Sequence, residues 1–294
     1  MRVFVVANPA AGRAHAGSIM KSLNQIARDR DWRLEVYETT GDEPLPDLVR
    51  EAVKEGAEMV FAAGGDGTVS AVVDGLVNTS VPLGIIPTGT GNVLAQELGI
   101  PLDVGRACQM LAGNPATRSI DALQAGARFF VLSIGAGINA MTIKRTTPKR
   151  KRQLGPLAYV WTVLKVLAGL QPHTFTIVAD GQRKRVRATD VLLTNVATIT
   201  GPLRWGSHIR PDDGQIDICI LRARNLLDII LAVWDAMVPD RPRRERNLRY
   251  WHANHSILLF AAEPIPVQGD GEPLGETPIE AQIWPGAIDV LVPH

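Results

Sequence analysis

Apolar runs and helical repeats alternate along the first part of the chain. Four segments have the strand-forming pattern: 2–7, 34–37, 58–62 and 83–86. Apolar residues recur at helical spacing in the segments between and after them, over about 15–30, 46–56, 69–77, 92–98 and 103–111. This alternation predicts an α/β domain with an open parallel sheet over residues 1–122.

The pattern changes after about residue 122. Strand-like segments follow one another at 129–134, 175–178, 184–187, 190–197, 216–222, 256–262, 277–284 and 287–292. Asp180-Gly181, between two of them, is typical of a β-hairpin turn. Apolar helices are predicted only at about 156–170 and 226–237. Residues 123–294 are therefore predicted to form an antiparallel β-sandwich domain.

The composition fits a globular protein of this size. The chain has 294 residues, of which 46% are hydrophobic and 21% charged. Its two cysteines are far apart, which excludes a disulfide framework and favours a reducing, cytosolic location. No uncharged apolar run reaches the ~18 residues of a membrane span. Any contact with a membrane is therefore expected to be peripheral.

Charge is distributed unevenly between the two parts. Acidic residues outnumber basic ones in residues 1–122, and the reverse holds in residues 123–294, with a basic segment at 144–152. This segment is either a solvated loop or a contact with anionic lipid headgroups, at ~1 kcal/mol per basic residue. No nucleic-acid motif accompanies it, so nucleic acid is not predicted as a partner.

Three loops rich in glycine or small polar residues follow predicted strands, at 8–13, 63–68 and 87–92. The second reads Ala-Gly-Gly-Asp-Gly-Thr and leads into a helix. Backbone N–H groups at such a turn can bind phosphate, and three such loops suit a nucleoside triphosphate. Asp66 adds a carboxylate, which suggests metal-linked phosphate chemistry. The alternative is a tight strand–helix turn capped by Thr68.

Two acidic motifs lie in the second part, Asp212-Asp213-Gly214 and Asp270-Gly271-Glu272. From the residues alone, the first is more simply a hairpin turn and the second an acidic surface turn.

Taken together, these motifs resemble the diacylglycerol kinase catalytic-domain superfamily, which includes bacterial lipid kinases and sphingosine kinases. The resemblance covers nearly the whole chain and also rests on Gly89-Thr90-Gly91-Asn92 and Ser133-Ile134-Gly135-Ala136-Gly137. It implies a nucleotide domain like that of phosphofructokinases and NAD kinases, followed by a lipid-binding β-sandwich. The active site would lie between the two domains.

The resemblance also implies roles for individual residues. Together with the glycine-loop argument, it predicts nucleotide contacts at Asn8, Pro9, Ala10, Ala11, Gly12, Arg13, Thr40, Gly64, Gly65, Asp66, Gly67, Thr68, Val69, Ser70 and Thr90. A structural Mg²⁺ would be bound by the Asp213 side chain and by the carbonyls of Arg210 and Gln215. Asp270 or Glu272 would be the catalytic base, and Asp66 would organise metal and water. Val93 and Gln96 replace an acid and an arginine that are common in the family.

The predicted function is an ATP- and Mg²⁺-dependent kinase of a lipid hydroxyl, on diacylglycerol or a sphingoid base, at the cytoplasmic membrane surface. Two alternatives remain open from the sequence. One is an NAD-kinase-like enzyme with a soluble substrate, and the other is a non-catalytic lipid-binding regulator on the same fold. The oligomeric state is also left open, with a homodimer as one option.

Overall fold

The structure is a computed structural model of the chain. It describes residues 1–9, 16–41, 43–137, 171–201, 203–223, 227–228, 231 and 247–294. The basic segment 144–152 and the helix predicted at 156–170 lie outside this part of the chain. So does nearly all of the helix predicted at 226–237. No helix in the described residues is long and apolar enough to cross a membrane.

The first part of the chain has the predicted α/β alternation. Its elements are β1 (Arg2–Ala7), α1 (Ala16–Arg30), β2 (Arg33–Glu38), α2 (Leu45–Lys54), β3 (Met59–Gly64), α3 (Asp66–Leu76), β4 (Leu83–Pro87), α4 (Val93–Glu97) and α5 (Val104–Ala112). The four strands are parallel, in the order β2-β1-β3-β4. Every residue of β3 and β4 is buried, as expected where helices cover both faces of a parallel sheet.

The second part is antiparallel, as predicted. Its strands are β5 (Ala116–Ala125), β6 (Arg128–Phe130), β7 (Ser133–Gly137), β8 (His173–Ala179), β9 (Gln182–Ala188), β10 (Asp190–Thr194), β11 (Thr198–Thr200), β12 (Leu203–Arg204), β13 (Ile216–Leu221), β14 (Leu248–Ala253), β15 (Ser256–Ala261), β16 (Pro266–Gly269), β17 (Glu272–Glu276) and β18 (Ile279–Val292). One sheet has the order β14-β13-β10-β7-β16-β17. It packs against β8, β15 and part of β18 around a shared apolar core.

The two parts share a sheet, because β18 continues from the sandwich into the parallel sheet. Val290 pairs with Leu83 of β4 in parallel, while Ser256 of β15 pairs with Gln282 in antiparallel. Ile288 and Val290 belong to the core of the α/β part. The division of the chain at residue 122 therefore stays a prediction, and the last strand connects the two sides of it.

Several boundaries differ from the sequence-based expectation, among them these three. The helix predicted at 69–77 begins at Asp66, because Gly65 is extended (φ −93°, ψ −172°) and its carbonyl accepts the Val69 N–H. The strands predicted at 277–284 and 287–292 are one strand, β18, with irregular pairing between Trp284 and Ile288. The strand predicted at 129–134 is divided into β6 and β7.

Candidate active site

Adjacent loops meet at the carboxyl-terminal edge of the parallel strands. Gly64, the last residue of β3, lies opposite Pro87, the last residue of β4. Main-chain hydrogen bonds extend this pairing beyond the strands, from Asn8 N to Ala63 O (2.9 Å) and from Thr88 N to Gly64 O (3.0 Å). This edge is where open α/β sheets bind ligands, and it brings the loops predicted to bind nucleotide together.

The two glycine loops touch through their main chains. A Cβ placed on Gly89 would lie 2.6 Å from the Gly65 Cα, and a Cβ on Gly64 would lie 2.4 Å from Thr68 Oγ1. Gly67, by contrast, is exposed and has nothing within 4 Å of its Cβ position. Gly89 and Gly64 are therefore required by packing inside the protein. Gly67, in contrast, leaves open space above the first turn of α3.

The amino terminus of α3 is the most direct candidate for phosphate binding. Its first intrahelical hydrogen bond is donated by Val69 N. The N–H groups of Asp66, Gly67 and Thr68 therefore have no partner within the helix. Asn8 Nδ2 donates to Thr68 Oγ1 (3.3 Å), which connects the first loop to this turn. Free N–H groups and the helix dipole together favour an anion at this place.

The Asp66 carboxylate joins the two glycine loops. Its Oδ1 accepts the Val93 N–H at 2.6 Å, at the beginning of α4, and a Cβ on Gly91 would lie 2.5 Å from its Oδ2. Burial raises the pKa of Asp66, and main-chain N–H groups at the start of α4 oppose this shift. The predicted role in organising metal and water stays a prediction, and the contacts add a structural role.

Val93 and Gln96, which replace an acid and an arginine common in the family, both donate hydrogen bonds that fix the conformation of the loop before α4. Val93 contributes its main-chain N–H to Asp66, and Gln96 Nε2 donates to the Gly91 carbonyl at 2.5 Å. Asn92, in the left-handed conformation (φ 50°), exchanges hydrogen bonds with both main-chain groups of Gly89. The loop before α4 is thus closed by polar side chains of its own.

Asp270 stands at the opposite side of the site, on the two-residue turn between β16 and β17. Asp270 and Gly271 both have positive φ (47° and 88°), as in type I′ hairpins. The Asp270 carboxylate accepts main-chain hydrogen bonds from Val131 (3.0 Å), Leu132 (3.0 Å) and Ser133 (2.8 Å). β6 belongs to the ten-stranded sheet and β7 to the six-stranded sheet, and these bonds hold Val131 and Leu132 where the chain passes from one to the other.

A fourth donor to Asp270 comes from the α/β part. Ser70 Oγ donates to Asp270 Oδ2 at 2.6 Å, and Ser70 lies one helical turn after Asp66 on α3. The hydrogen bond therefore sets a sandwich carboxylate ~6 Å along the helix from the phosphate-type turn. Burial raises the pKa of Asp270, and its four hydrogen bonds oppose this shift.

Glu272 differs from Asp270 in its surroundings. Its side chain is 51% exposed and is paired with Arg128 (Nη2 to Oε2, 2.7 Å). Arg128 also lies 3.8 Å from the carboxylate of Asp74, which is almost fully buried on α3 and accepts the Phe129 N–H. The sequence patterns did not point to Asp74 or Arg128. An acid within the apolar face of α3 was the available signal.

Thr40, a predicted nucleotide contact, is bound to a carboxylate. Its N–H and its hydroxyl both donate to Glu43 Oε1 at 2.6 Å, and Gly41 N donates to Oε2. These hydrogen bonds, that of the Thr40 hydroxyl foremost, lower the pKa of Glu43 to about 2. In this arrangement the Thr40 hydroxyl is engaged within its own loop.

The remaining predicted nucleotide contacts are not all in the described part of the chain. Pro9 lies in the loop after β1, and Thr90 is exposed in the loop before α4. Ala10, Ala11, Gly12 and Arg13 lie outside the described residues. These four, like the other predicted nucleotide contacts, stay predictions.

The segment 210–215 does not form the hairpin turn that its residues alone suggested. β13, which follows it, pairs with β10 and β14, whereas the preceding β12 pairs with β11. The segment is fixed instead by Asp121, a buried residue that the residue analysis missed. Its carboxylate accepts N–H groups from Gly214 (2.7 Å) and Gly286 (2.8 Å).

The residues predicted to bind Mg²⁺ offer oxygen ligands, which this ion prefers. Asp213 Oδ1 accepts the Gln215 N–H at 3.1 Å. Burial, followed by the nearby charges of Asp121 and Asp212, raises the pKa of Asp213, so a cation there would relieve repulsion. No group of three or more His, Cys, Asp or Glu side chains in the described residues could hold a metal ion. The predicted ligand set, with the main-chain carbonyls of Arg210 and Gln215 beside Asp213, stays a prediction.

Two models of known protein families match consecutive parts of the chain. A model of the diacylglycerol kinase catalytic domain matches residues 2–125. A model of the YegS C-terminal NAD kinase beta sandwich-like domain matches residues 132–292. The chain belongs to the diacylglycerol kinase catalytic domain family with a YegS-type C-terminal domain. Kinases with the diacylglycerol kinase catalytic domain use ATP.

Individual members of the family are similar over their full length. A diacylglycerol kinase of Bacillus subtilis (strain 168) is 28% identical over 299 residues, which cover 99% of this chain and 96% of the relative. A solved structure of a diacylglycerol kinase from Bacillus anthracis str. Sterne superposes with a TM-score of 0.77 at 19% identity. That alignment covers 99% of this chain and 96% of the other, and it supports the shared fold.

Proposed function

We propose that the protein transfers the γ-phosphoryl group of ATP to a hydroxyl group of a membrane lipid. The observation that carries this proposal is the hydrogen bond between Ser70 and Asp270. It joins a helix that begins at a phosphate-type turn to a carboxylate of the sandwich domain. Phosphoryl transfer needs both parts, an anion site and a carboxylate that can accept the proton of the attacking hydroxyl.

The residues of this chain would divide the work as follows. The N–H groups at the start of α3 and in the loop before α4 hold the phosphates, and Arg13 adds a cation. The lipid hydroxyl loses its proton to a carboxylate, its oxygen forms the new bond to phosphorus, and ADP leaves. Asp213, with the carbonyls of Arg210 and Gln215, would hold Mg²⁺, which when bound supplies positive charge.

Two carboxylates compete for the role of base. Asp270 is held by four donors, of which three are main-chain N–H groups and one is the rotatable hydroxyl of Ser70. Glu272 is half-exposed and has Arg128 as a partner, so its carboxylate oxygens are more accessible to a substrate proton than those of Asp270. Asp270 can accept a proton only if Ser70 turns away, or through the Ser70 hydroxyl.

The test is transfer from labelled ATP to a panel of diacylglycerol, a sphingoid base and NAD, in mixed micelles containing an anionic lipid. We expect label in a lipid product. Label in NAD alone would contradict the proposal in favour of the soluble-substrate alternative. Lipid binding without any transfer would favour a regulator.

Asp270→Asn is the key variant in this assay. Asparagine tolerates the left-handed turn, so the hairpin is expected to persist. We expect transfer to be abolished while ATP binding, measured by calorimetry, remains nearly intact. Wild-type turnover in this variant would remove Asp270 from the mechanism, and Glu272→Gln assayed in parallel would then identify the alternative base.

A further inference from the structure

A cavity of about 560 Å³ lies far along the sheet from the glycine loops, on the outer face of β8, β9 and β15. Apolar residues, threonines and two arginines line it in the part of the chain that the structure describes. These residues are Thr174, Thr176, Val178, Arg183, Arg185, Leu258, Phe260, Ala261 and Ala262. The cavity has an apolar floor and a cationic edge, which neither the catalytic proposal nor the sandwich core uses.

Strand alternation explains how the two characters lie side by side. Phe175, Ile177 and Ala179 of β8 point into the sandwich core. The residues between them therefore face outward, as the period of two requires. Val178 is paired with Leu258 on one side and with Arg183 on the other, and the same row pattern recurs two residues along.

The β9 edge carries a row of three arginines. Arg183, Arg185 and Arg187 alternate on the outward face of this edge strand, ~7 Å apart, and all three are exposed. In the part of the chain that the structure describes, the side chains of these three arginines make no hydrogen bond or ion pair. Lys184, between them, points the other way and lies over the Trp251 ring at 3.7 Å.

An exposed aromatic side chain stands beside this row. Phe260 is 37% exposed and is paired with Thr176, which is paired in turn with Arg185. Among the described residues, two acids on the same face, Glu280 and Glu263, lie at its margins. Glu280 is paired with Leu258, about three strand spacings (~14 Å) from the β9 edge, and Glu263 follows the end of β15.

Unpaired arginines next to an exposed apolar strip are complementary to a surface that is anionic outside and apolar beneath. We propose that the outer face of β8, β9 and β15 docks on membranes that contain anionic phospholipid. The three arginines contact lipid phosphates, and Phe260 and Leu258 enter the interface. This assignment is separate from the basic segment 144–152 and does not require that the protein phosphorylates a lipid.

The experiment measures sedimentation of the full-length protein with vesicles of phosphatidylcholine, with and without phosphatidylglycerol, in the absence of ATP. We expect binding only to the anionic vesicles and a decline with added salt. Arg183→Gln/Arg185→Gln/Arg187→Gln should lower the partition constant ~100-fold, from ~5-fold per arginine. Phe260→Ala should lower it ~10-fold while leaving the charge unchanged.

The matched control removes the same charge elsewhere. Arg28→Gln/Arg33→Gln/Arg106→Gln changes three exposed arginines on the α/β part and should bind anionic vesicles as the wild type does. Equal losses in the two triple variants would overturn the proposal, because net charge alone would then explain binding. An unchanged partition constant in the β9 variant would overturn it as well.

Two further outcomes distinguish other occupants of the face. A fall in the free energy of unfolding that is confined to the β9 variant would mean that the chain itself covers the groove. A dimer in light scattering that the β9 variant dissociates would mean that a second copy does. Either result contradicts membrane docking. Because no ATP is present, failure here leaves the kinase proposal standing.

Discussion

The two sides of the candidate site are built by different means. On the α/β side, the loops at Gly64–Gly65 and Gly89 are positioned by main-chain hydrogen bonds and by close contacts that only glycine permits. On the sandwich side, one side chain does the positioning, since the Asp270 carboxylate gathers three main-chain N–H groups and the Ser70 hydroxyl. The first side is therefore vulnerable to added volume and the second to lost charge.

The difference predicts how each side fails. An added methyl group between two main chains has no flexible neighbour to displace, so the loops themselves must move. A lost partner at Asp270 leaves the turn in place but exposes unmatched donors or a buried carboxylate, which costs free energy without a clash. Three substitutions test this contrast in order of expected effect on stability.

The largest effect is expected from Gly89→Ala. Its Cβ would lie 2.6 Å from the Gly65 Cα, a main-chain atom. We expect the free energy of unfolding to fall by about 3 kcal/mol. ATP binding should be lost, because the two glycine loops would be forced apart. Chemical denaturation and calorimetric ATP titration measure the two effects.

Gly67→Ala is the matched control for stability. It adds the same methyl group at the start of α3, where nothing lies within 4 Å of the Cβ position. Because Gly67 is in the first turn of α3, alanine should leave stability unchanged or raise it by up to about 1 kcal/mol. Equal destabilisation by the two variants would show that the Gly65–Gly89 contact is not what fixes the loops.

A smaller effect is expected from Ser70→Ala, which removes the one donor to Asp270 that comes from the α/β side. A hydrogen bond to a charged group is worth about 2 kcal/mol, and we expect a loss of this size in the free energy of unfolding. Burial already raises the pKa of Asp270, and the Ser70 hydrogen bond lowers it, so its loss should raise that pKa further.

The sign of the change in activity follows from the pKa. A carboxylate that accepts a proton is active when ionised, so transfer is lost as the pH falls through its pKa. If Asp270 is the base, the acidic limb of the pH–rate profile should move to higher pH in Ser70→Ala. Ser119→Ala removes an exposed serine–aspartate hydrogen bond and serves as the control. An equal loss of stability in both would deny Ser70 a special role.

The same contrast explains what the sequence could predict. The glycine loops are local, because strand, glycine and helix follow one another within ten residues, and the loops at 63–68 and 87–92 follow β3 and β4 in the structure. The helix start was three residues late because Asp66-Gly67-Thr68 was assigned to the loop rather than to the first turn of α3. The periodicity of the apolar residues predicted the fold class, the family resemblance agreed with it, and the comparisons confirm it.

The surroundings of Asp270 could not be predicted in this way. Its donors Val131 and Ser70 are 139 and 200 residues away in sequence, and no spacing rule relates such positions. Asp121 was missed for the same reason, since its partners Gly214 and Gly286 are 93 and 165 residues away, and Gly286 is brought to it by the pairing of β5 with β18. The sequence predicts separate strands at 277–284 and 287–292, although β18 continues through an irregularity between Trp284 and Ile288.

The smallest effect on stability is expected from Glu272→Gln. The Glu272–Arg128 pair is 51% and 38% exposed, and surface ion pairs of this kind contribute little. We expect the free energy of unfolding to change by no more than about 0.5 kcal/mol, as in Glu35→Gln, which breaks the comparably exposed pair with Arg2. A loss more than about 1 kcal/mol larger than that of the control would mean that Arg128 and Asp74 make Glu272 part of the domain contact. A stable variant with transfer reduced ~100-fold or more would instead mark Glu272 as the base, because a carboxylate that acts chemically need not hold the fold together.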